Sequence, residues 1–247
     1  MGIIGVVAAL TIPNLNSSTG NAEKVAKYKK IYAELNEAHN RAVAVYGPFD
    51  EWFNEDTCTT NLSCSAAKIR YFNRITEFMK LQKNCGISSG CMSQDAKYIS
   101  GADWTFRPAA DSANYPQAIL TGGWSFYIYA MYKNYTYSSI YDGYKFSKNV
   151  GNIVVDLDGS NKGKNTWGID IFNFVVTSEG IFPMGGGTLW TDNDLKEWCF
   201  CYGDCGAWIL NTGNMDYINT NHTSISDAGK CNNNPSIQLS TTVTSCK

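Results

Sequence analysis

Asp156, Asp158 and Asp170, with Asn161 and Asn165 between them, place five side-chain oxygen donors in one short stretch of chain. Hard oxygen ligands at this density suit Ca²⁺ better than a transition metal. The spacing is not that of an EF-hand, because Trp167 stands at the twelfth position, where a bidentate glutamate closes such a loop. The competing reading is a set of Asx turns, in which these side chains bond their own backbone. Asp156 and Asp158 are also a carboxylate pair followed by Gly159. Such a pair suits phosphoryl transfer, one carboxylate attacking phosphorus and the next protonating the leaving group. Imidazole chemistry has little room, since His39 and His222 are the only histidines and a Ser/His/Asp triad would have to use one of them.

The cysteines point to a compartment. Cys58, Cys64, Cys85, Cys91, Cys199, Cys201, Cys205, Cys231 and Cys246 contain no Cys-x-x-Cys pair, and without a zinc pattern so many thiols imply oxidation outside the cytosol. All nine are disulfide candidates, and because nine is odd at least one stays free, pairs between chains, or reflects a displaced chain boundary. Cys58 with Cys64 and Cys85 with Cys91 are each six residues apart and suit short local loops. A formal charge of −2 leaves no basic surplus for a phosphate backbone, so nucleic acid is a poor partner. The 247 residues fit one large or two modest domains.

Periodicity supplies the elements that must hold these groups. Ile3, Ile4, Val6, Val7, Leu10 and Ile12 form an apolar run ending at Pro13; as a helix it rises only ~15 Å, half of a bilayer core. Ala22, Val25, Ala26, Ile31, Tyr32, Leu35, Ala38, Ala42 and Val45 then recur at steps of three and four, which predicts an amphipathic helix stopped by Gly47-Pro48. Joined through a bend at Pro13, the two make one element of about 44 residues and ~66 Å. Ile69, Phe72, Ile75 and Met79 share one face of a second predicted helix. From Gln117 the period shortens. Residues 118–120, 124–130, 152–156, 171–176 and 180–184 read as strands, and an antiparallel meander is the economical topology. The Asn-, Thr-, Gly- and Cys-rich last third reads as disulfide-stapled loops around a short helix near 206–210.

The run Gly2 to Pro13 followed by a long amphipathic helix resembles the N-terminal region of type IV pilins and type II secretion pseudopilins. In that family a short leader and a Gly-Phe-Thr-Leu-x-Glu-Leu-Leu motif precede an apolar helix half, a proline bend and an amphipathic half. Pro13 matches the bend and Ile3 to Ile12 the distal apolar half, while the leader, cleavage glycine, methylated phenylalanine and glutamate have no counterpart; the expectation is a true start upstream of Met1. A second stretch, Gly151 to Gly159, Asn165 to Phe172 and Gly180 to Gly185, is similar to the C-terminal sheet of pseudopilin-like proteins, VDxNGxxxPNxxGxDxF and xGxxxPxG, with Asp158 where Asn is common and Lys164 where Pro is common. Together the two stretches cover residues 2 to about 45 and 117 to 217.

The resemblance implies an α+β fold, a long N-terminal helix packed on an antiparallel sheet with disulfide-rich insertions. It divides the chain into a membrane and assembly helix, 1–46, and a head, 47–247. It implies a structural subunit rather than an enzyme, with Ile3, Ile4, Val6, Val7, Leu10, Ile12 and Pro13 carrying assembly. Its partners would be other pilin or pseudopilin subunits, the bacterial inner membrane and a prepilin peptidase. The head would be extracytoplasmic, in the periplasm or in a surface filament. Some secretion pseudopilins hold calcium beside this sheet, so the resemblance allows a structural Ca²⁺ at Asp156, Asp158 and Asp170. Lys24, Lys27, Lys29 and Lys30 pull the other way, since positive charge after an apolar run favours the cytoplasmic side; the cysteines carry more weight, and the conflict stays open.

Two other classes compete. Ile153 to Ser160 resembles the DxDG(T/S) loop of haloacid-dehalogenase-type phosphatases, but that motif opens an α/β unit and here a glycine- and asparagine-rich loop and another strand follow. Seven tryptophans and fifteen tyrosines would also furnish a sugar-stacking surface for an adhesin, although such rings more often fill a helix–sheet interface.

Overall fold

The structure, a computed structural model, describes residues 3–54, 63–93, 95–103, 115–135, 149–159, 162–163, 165–185 and 191–247, with side chains from Gly20 onward. The apolar side chains proposed to carry assembly, Ile3 to Pro13, and Cys58, Asn161 and Lys164 therefore lie outside the described side chains.

Helix α1 (Ile3–Tyr46) runs unbroken and ends at Gly47, whose φ of +82° and following Pro48 stop it as expected. Its buried stripe is Val25, Tyr28, Ile31, Leu35, Ala38, His39 and Ala42. The stripe differs from the expected one in two ways. Ala22, Ala26 and Val45 face solvent, and the rings of Tyr28 and His39 fill the stripe instead. Rings at those positions reach partners that a methyl group would not. No helix among the described residues is long and apolar enough to cross a membrane.

After a 3-10 turn (Phe49–Phe53), α2 (Ser65–Thr76) buries Ala67, Lys68, Tyr71, Phe72 and Ile75. Its inner face is rotated from the expected one: Ile69 is 36% exposed and Met79 falls beyond the helix end. Tyr71 takes the inner position because it closes on His39 and Phe49.

Six strands follow as an antiparallel meander in sequence order, β1 (Leu81–Gly86), β2 (Gln117–Leu120), β3 (Ser125–Tyr132), β4 (Val150–Asp156), β5 (Ile171–Thr177) and β6 (Gly180–Pro183). The strands read from sequence are β2 to β6. Edge strand β1, Leu-Gln-Lys-Asn-Cys-Gly, is exposed or half-buried throughout and carries no apolar alternation, so nothing local announces it. One face of the sheet presents Phe126, Ile128, Ile153, Val155, Phe172, Phe174, Val176 and Ile181 to the helices. There Tyr28 meets Phe172 edge-on at 4.8 Å and stacks on Phe174 at 5.3 Å. The opposite face is covered too, by Met92, Ala96 and Trp167 over Tyr127, Val154 and Ile171. Cover on both faces is why β4 is buried at every position instead of alternating.

The last third is more ordered than a set of stapled loops. A capping box of Thr191 and Asp194 opens α3 (Asp192–Asp194), which continues as a π-helical stretch (Leu195–Tyr202), followed by α4 (Gly206–Thr212) and a two-stranded hairpin, β7 (Lys230–Cys231) and β8 (Asn234–Gln238). Cys199–Cys205 joins the π-helical stretch to the start of α4, and Cys231–Cys246 ties the C-terminal tail to the hairpin. The chain is α+β, with the second half of α1 inside the same core as the sheet.

Candidate metal centre

The acidic cluster sits where β4 hands over to β5. Asp156 closes β4 in register with Ile171, the first residue of β5, and the loop between them returns when Leu157 N donates to Asp170 O at 2.8 Å. Asp156 and Asp170 are thus brought to the two feet of one loop, both fully buried.

Asp156 Oδ1 accepts from the backbone N–H groups of Asp158 at 3.2 Å and Gly159 at 3.0 Å, the Asx-turn geometry anticipated as the competing reading. That accounts for one oxygen only. Asp156 Oδ2, Asp158 Oδ1 and Asn165 Oδ1 are all buried without a hydrogen-bond partner. The side chains of Asp156 and Asp158 interact, and two carboxylates have no hydrogen between them to share unless one holds a proton or a cation stands by. Burial, followed by the hydrogen bond and charge of Asp158, pushes the Asp156 carboxyl up to about 8.

Asp170 completes the arrangement. Its Oδ1 accepts from Lys24 Nζ of α1 at 2.7 Å. Its Oδ2 and Asp158 Oδ2 both crowd Gly163, where a side-chain carbon would lie 2.8 Å and 2.5 Å from them. Gly163, at φ +68°, is the residue that lets the loop pass this close. Asn165 adopts φ +47°, and its carbonyl accepts from Lys97 N at 3.0 Å.

The orphaned oxygens of Asp156, Asp158 and Asn165 are of the chemistry that suits a hard cation such as Ca²⁺, with the Asp170 carboxylate beside them. The carboxylates form a chain of neighbours rather than a closed cage: among the described residues no three His, Cys, Asp or Glu side chains converge as a ready metal site. An ion would have to draw Asp170 and Asp158 together.

The loop is gripped from outside as well. Trp167 Nε1 donates to Asp204 Oδ1 at 3.0 Å, and Tyr217 OH donates to Gly168 O at 2.6 Å. Gly168 and Gly203 pass backbone to backbone, so that a side-chain carbon on Gly168 would lie 2.7 Å from Gly203 O. Burial pushes the Asp204 carboxyl up to about 7, with the Trp167 hydrogen bond opposing it. Sequence reading misses Asp204; its only local sign is a charged residue beside two glycines and a cysteine in an otherwise aromatic stretch.

The remaining candidates separate. A phosphoryl-attacking Asp156 would need access, and it is 0% exposed with a sheet partner rather than a helix after its loop. His39 Nδ1 lies 3.2 Å from Tyr71 OH, and His222 Nδ1 donates to Phe200 O at 2.5 Å, so each serves packing. Tyr28, Tyr71, Tyr127, Tyr217 and Trp124 are core residues. Of the nine disulfide candidates, Cys85 pairs with Cys91, Cys199 with Cys205 and Cys231 with Cys246, and Cys64 is disulfide-bonded. Among the described residues Cys201 is the free cysteine, so it leaves the set of disulfide candidates, one unpaired thiol being among the outcomes an odd count allows.

No protein-family model, no curated protein and no solved structure matches this chain.

Proposed function

We propose that this chain is a structural subunit of a type IV pilin-like filament or type II secretion pseudopilus, assembling through α1. The observation that carries the reading is a long helix that joins an apolar run to a head-packing stripe. α1 has 44 residues, ~66 Å of helix, and its described buried stripe runs from Val25 to Ala42 on the head. In this reading the apolar run that precedes it in sequence, Ile3 to Ile12 ending at Pro13, serves a membrane or other copies. Burying that run among copies removes apolar surface from water or lipid, and heterologous contacts that do not close give a fibre. The disulfides support an extracytoplasmic head.

In this reading the subunit partners other pilin-like subunits and the inner membrane, and a prepilin peptidase would process its start. A Ca²⁺ ion in the β4–β5 loop, held by Asp156, Asp158, Asn165 and Asp170, would neutralise carboxylates and stiffen the loop, a structural role with no reaction attached. The test is deletion of residues 1–13. The truncated chain is expected to sediment as a soluble monomer with unchanged circular dichroism from sheet and disulfides. Continued polymerisation or membrane retention would overturn the assignment of assembly to this segment.

A further inference from the structure

The aromatic residues that fill the core leave one group of rings at the surface. Tyr202 closes the π-helical stretch and is 40% exposed, the only aromatic residue among the exposed large apolar side chains of the described residues. Trp198, earlier on the same stretch, meets it at 5.5 Å between ring centroids with 41° between the planes. Tyr98 comes from a separate segment and approaches edge-on at 5.7 Å and 66°. Both flanking rings are half-buried. One exposed ring is ordinary on a protein surface, whereas rings gathered from two distant segments around it are not.

The backbone holds these rings in place. Cys199–Cys205 bridges the chain across Tyr202, and Gly203, next in sequence, packs its backbone against Gly168. The segment carrying Tyr98 is fixed to the β4–β5 loop, since Lys97 N donates to Asn165 O at 3.0 Å and Trp167 N donates to Lys97 O at 2.7 Å. A π-helical stretch is rare and recurs at functional sites. Rings fixed in this way lose little freedom when a ligand stacks on them. The polar groups beside them are unengaged: among the described residues no hydrogen bond or ion pair takes up the Trp198 indole N–H, the Tyr202 hydroxyl or the carboxylate of Glu197, the residue before Trp198.

We infer that this surface binds a neutral saccharide, whose pyranose C–H face stacks on Tyr202 while its hydroxyls pair with the Trp198 N–H, the Tyr202 hydroxyl and the Glu197 carboxylate. A pyranose has an apolar C–H face and a rim of hydroxyls that both donate and accept. The surface supplies ring faces of negative quadrupole for the first, and a donor, a donor-acceptor and an acceptor for the second. A charged sugar acid would meet repulsion from Glu197. A protein partner would need about 800 Å² of surface, and the other exposed large apolar residues, Val45, Ile69, Ile87, Ile225 and Val243, belong to other elements. The inference stands independently of the assembly reading and of any ion in the β4–β5 loop.

Saturation-transfer NMR with cellotriose, on the full chain in a detergent without a sugar headgroup, tests this. Saturation of the aromatic protons should pass to the ring C–H protons of the sugar. Tyr202→Ala, at an exposed position, should leave circular dichroism unchanged and weaken binding about tenfold. Tyr202→Phe keeps the ring and should bind within about threefold of the parent. A second measurement needs no variant: cellotriose should shift the indole N–H resonance of Trp198 and leave those of the buried Trp124 and Trp208 in place. No transfer to cellotriose in the parent, equal affinity in Tyr202→Ala, or a shift confined to other indoles overturns the inference. Self-association of the parent that Tyr202→Ala abolishes, with no saccharide signal, also overturns it and assigns the rings to a contact between copies.

Discussion

His39 on α1 and Tyr71 on α2 meet at 3.2 Å between Nδ1 and the phenol oxygen, enclosed by Phe49 and Trp52. The pair joins the two helices before either reaches the sheet. Burial holds the imidazole neutral, lowering its pKa from 6.5 to about 4.

A histidine whose folded pKa is depressed contributes stability above its unfolded value, and that stability is lost as pH falls through the window. Here the window runs from 6.5 down to about 4. Chemical denaturation across it should show stability falling with acid by about 3 kcal/mol at most. His39→Gln should flatten the slope at some cost in packing at neutral pH. An unchanged slope in the variant would assign the acid sensitivity elsewhere.

Asp156 has the opposite sign. Its carboxyl keeps a proton up to about 8 in the folded chain and releases it near 3.8 when unfolded. The folded state therefore binds more protons between these values, and stability from this group is lost as pH rises from about 4 through about 8. Without divalent ions, the melting temperature should drop over that range by roughly 10 °C, and Asp156→Asn should abolish most of the drop. Added Ca²⁺ should restore the parent at pH 8 and leave the melting temperature of the Asp156→Asn variant unchanged; differential scanning calorimetry reads both.

Trp167 and Asp204 separate a hydrogen bond from a charge. Asp204→Ala leaves the buried indole N–H of Trp167 without its acceptor and should cost about 1–3 kcal/mol. Asp204→Asn keeps an acceptor oxygen and removes the ionisation, so it should cost less and soften the loss of stability as pH rises through about 7. Urea unfolding of the two variants at pH 5 and pH 8 distinguishes them, and equal losses at both values for both variants would mean the bond contributes nothing specific.

Much of the architecture is written locally. The three-and-four spacing from Val25 to Ala42, the Gly47-Pro48 stop and the apolar runs at 118–120, 124–130, 152–156, 171–176 and 180–184 correspond to α1 and β2 to β6. Such signals survive because each depends on neighbours within a turn or a pleat. Where a position depends on a distant partner, the pattern misleads. Ile69 has the spacing of a core residue and Tyr28 does not stand out as one, because the choice is made by His39 and Phe49 in one case and by Phe172 and Phe174 in the other. β1 forms because β2 offers it an edge, and the Cys85–Cys91 bridge closes the turn of chain that follows it.

The acidic residues show the same division. Their types and spacing determined that the β4–β5 loop would carry hard oxygen ligands, since that is a property of composition. Only the tertiary structure decided that buried oxygens of Asp156 and Asp158 lack a donor, that Lys24 arrives from 146 residues away, and that Asp204 grips the loop through Trp167. Charge, burial and hydrogen-bond count at a site are sums over everything packed around it, and a one-dimensional pattern records only the part contributed by residues next in line.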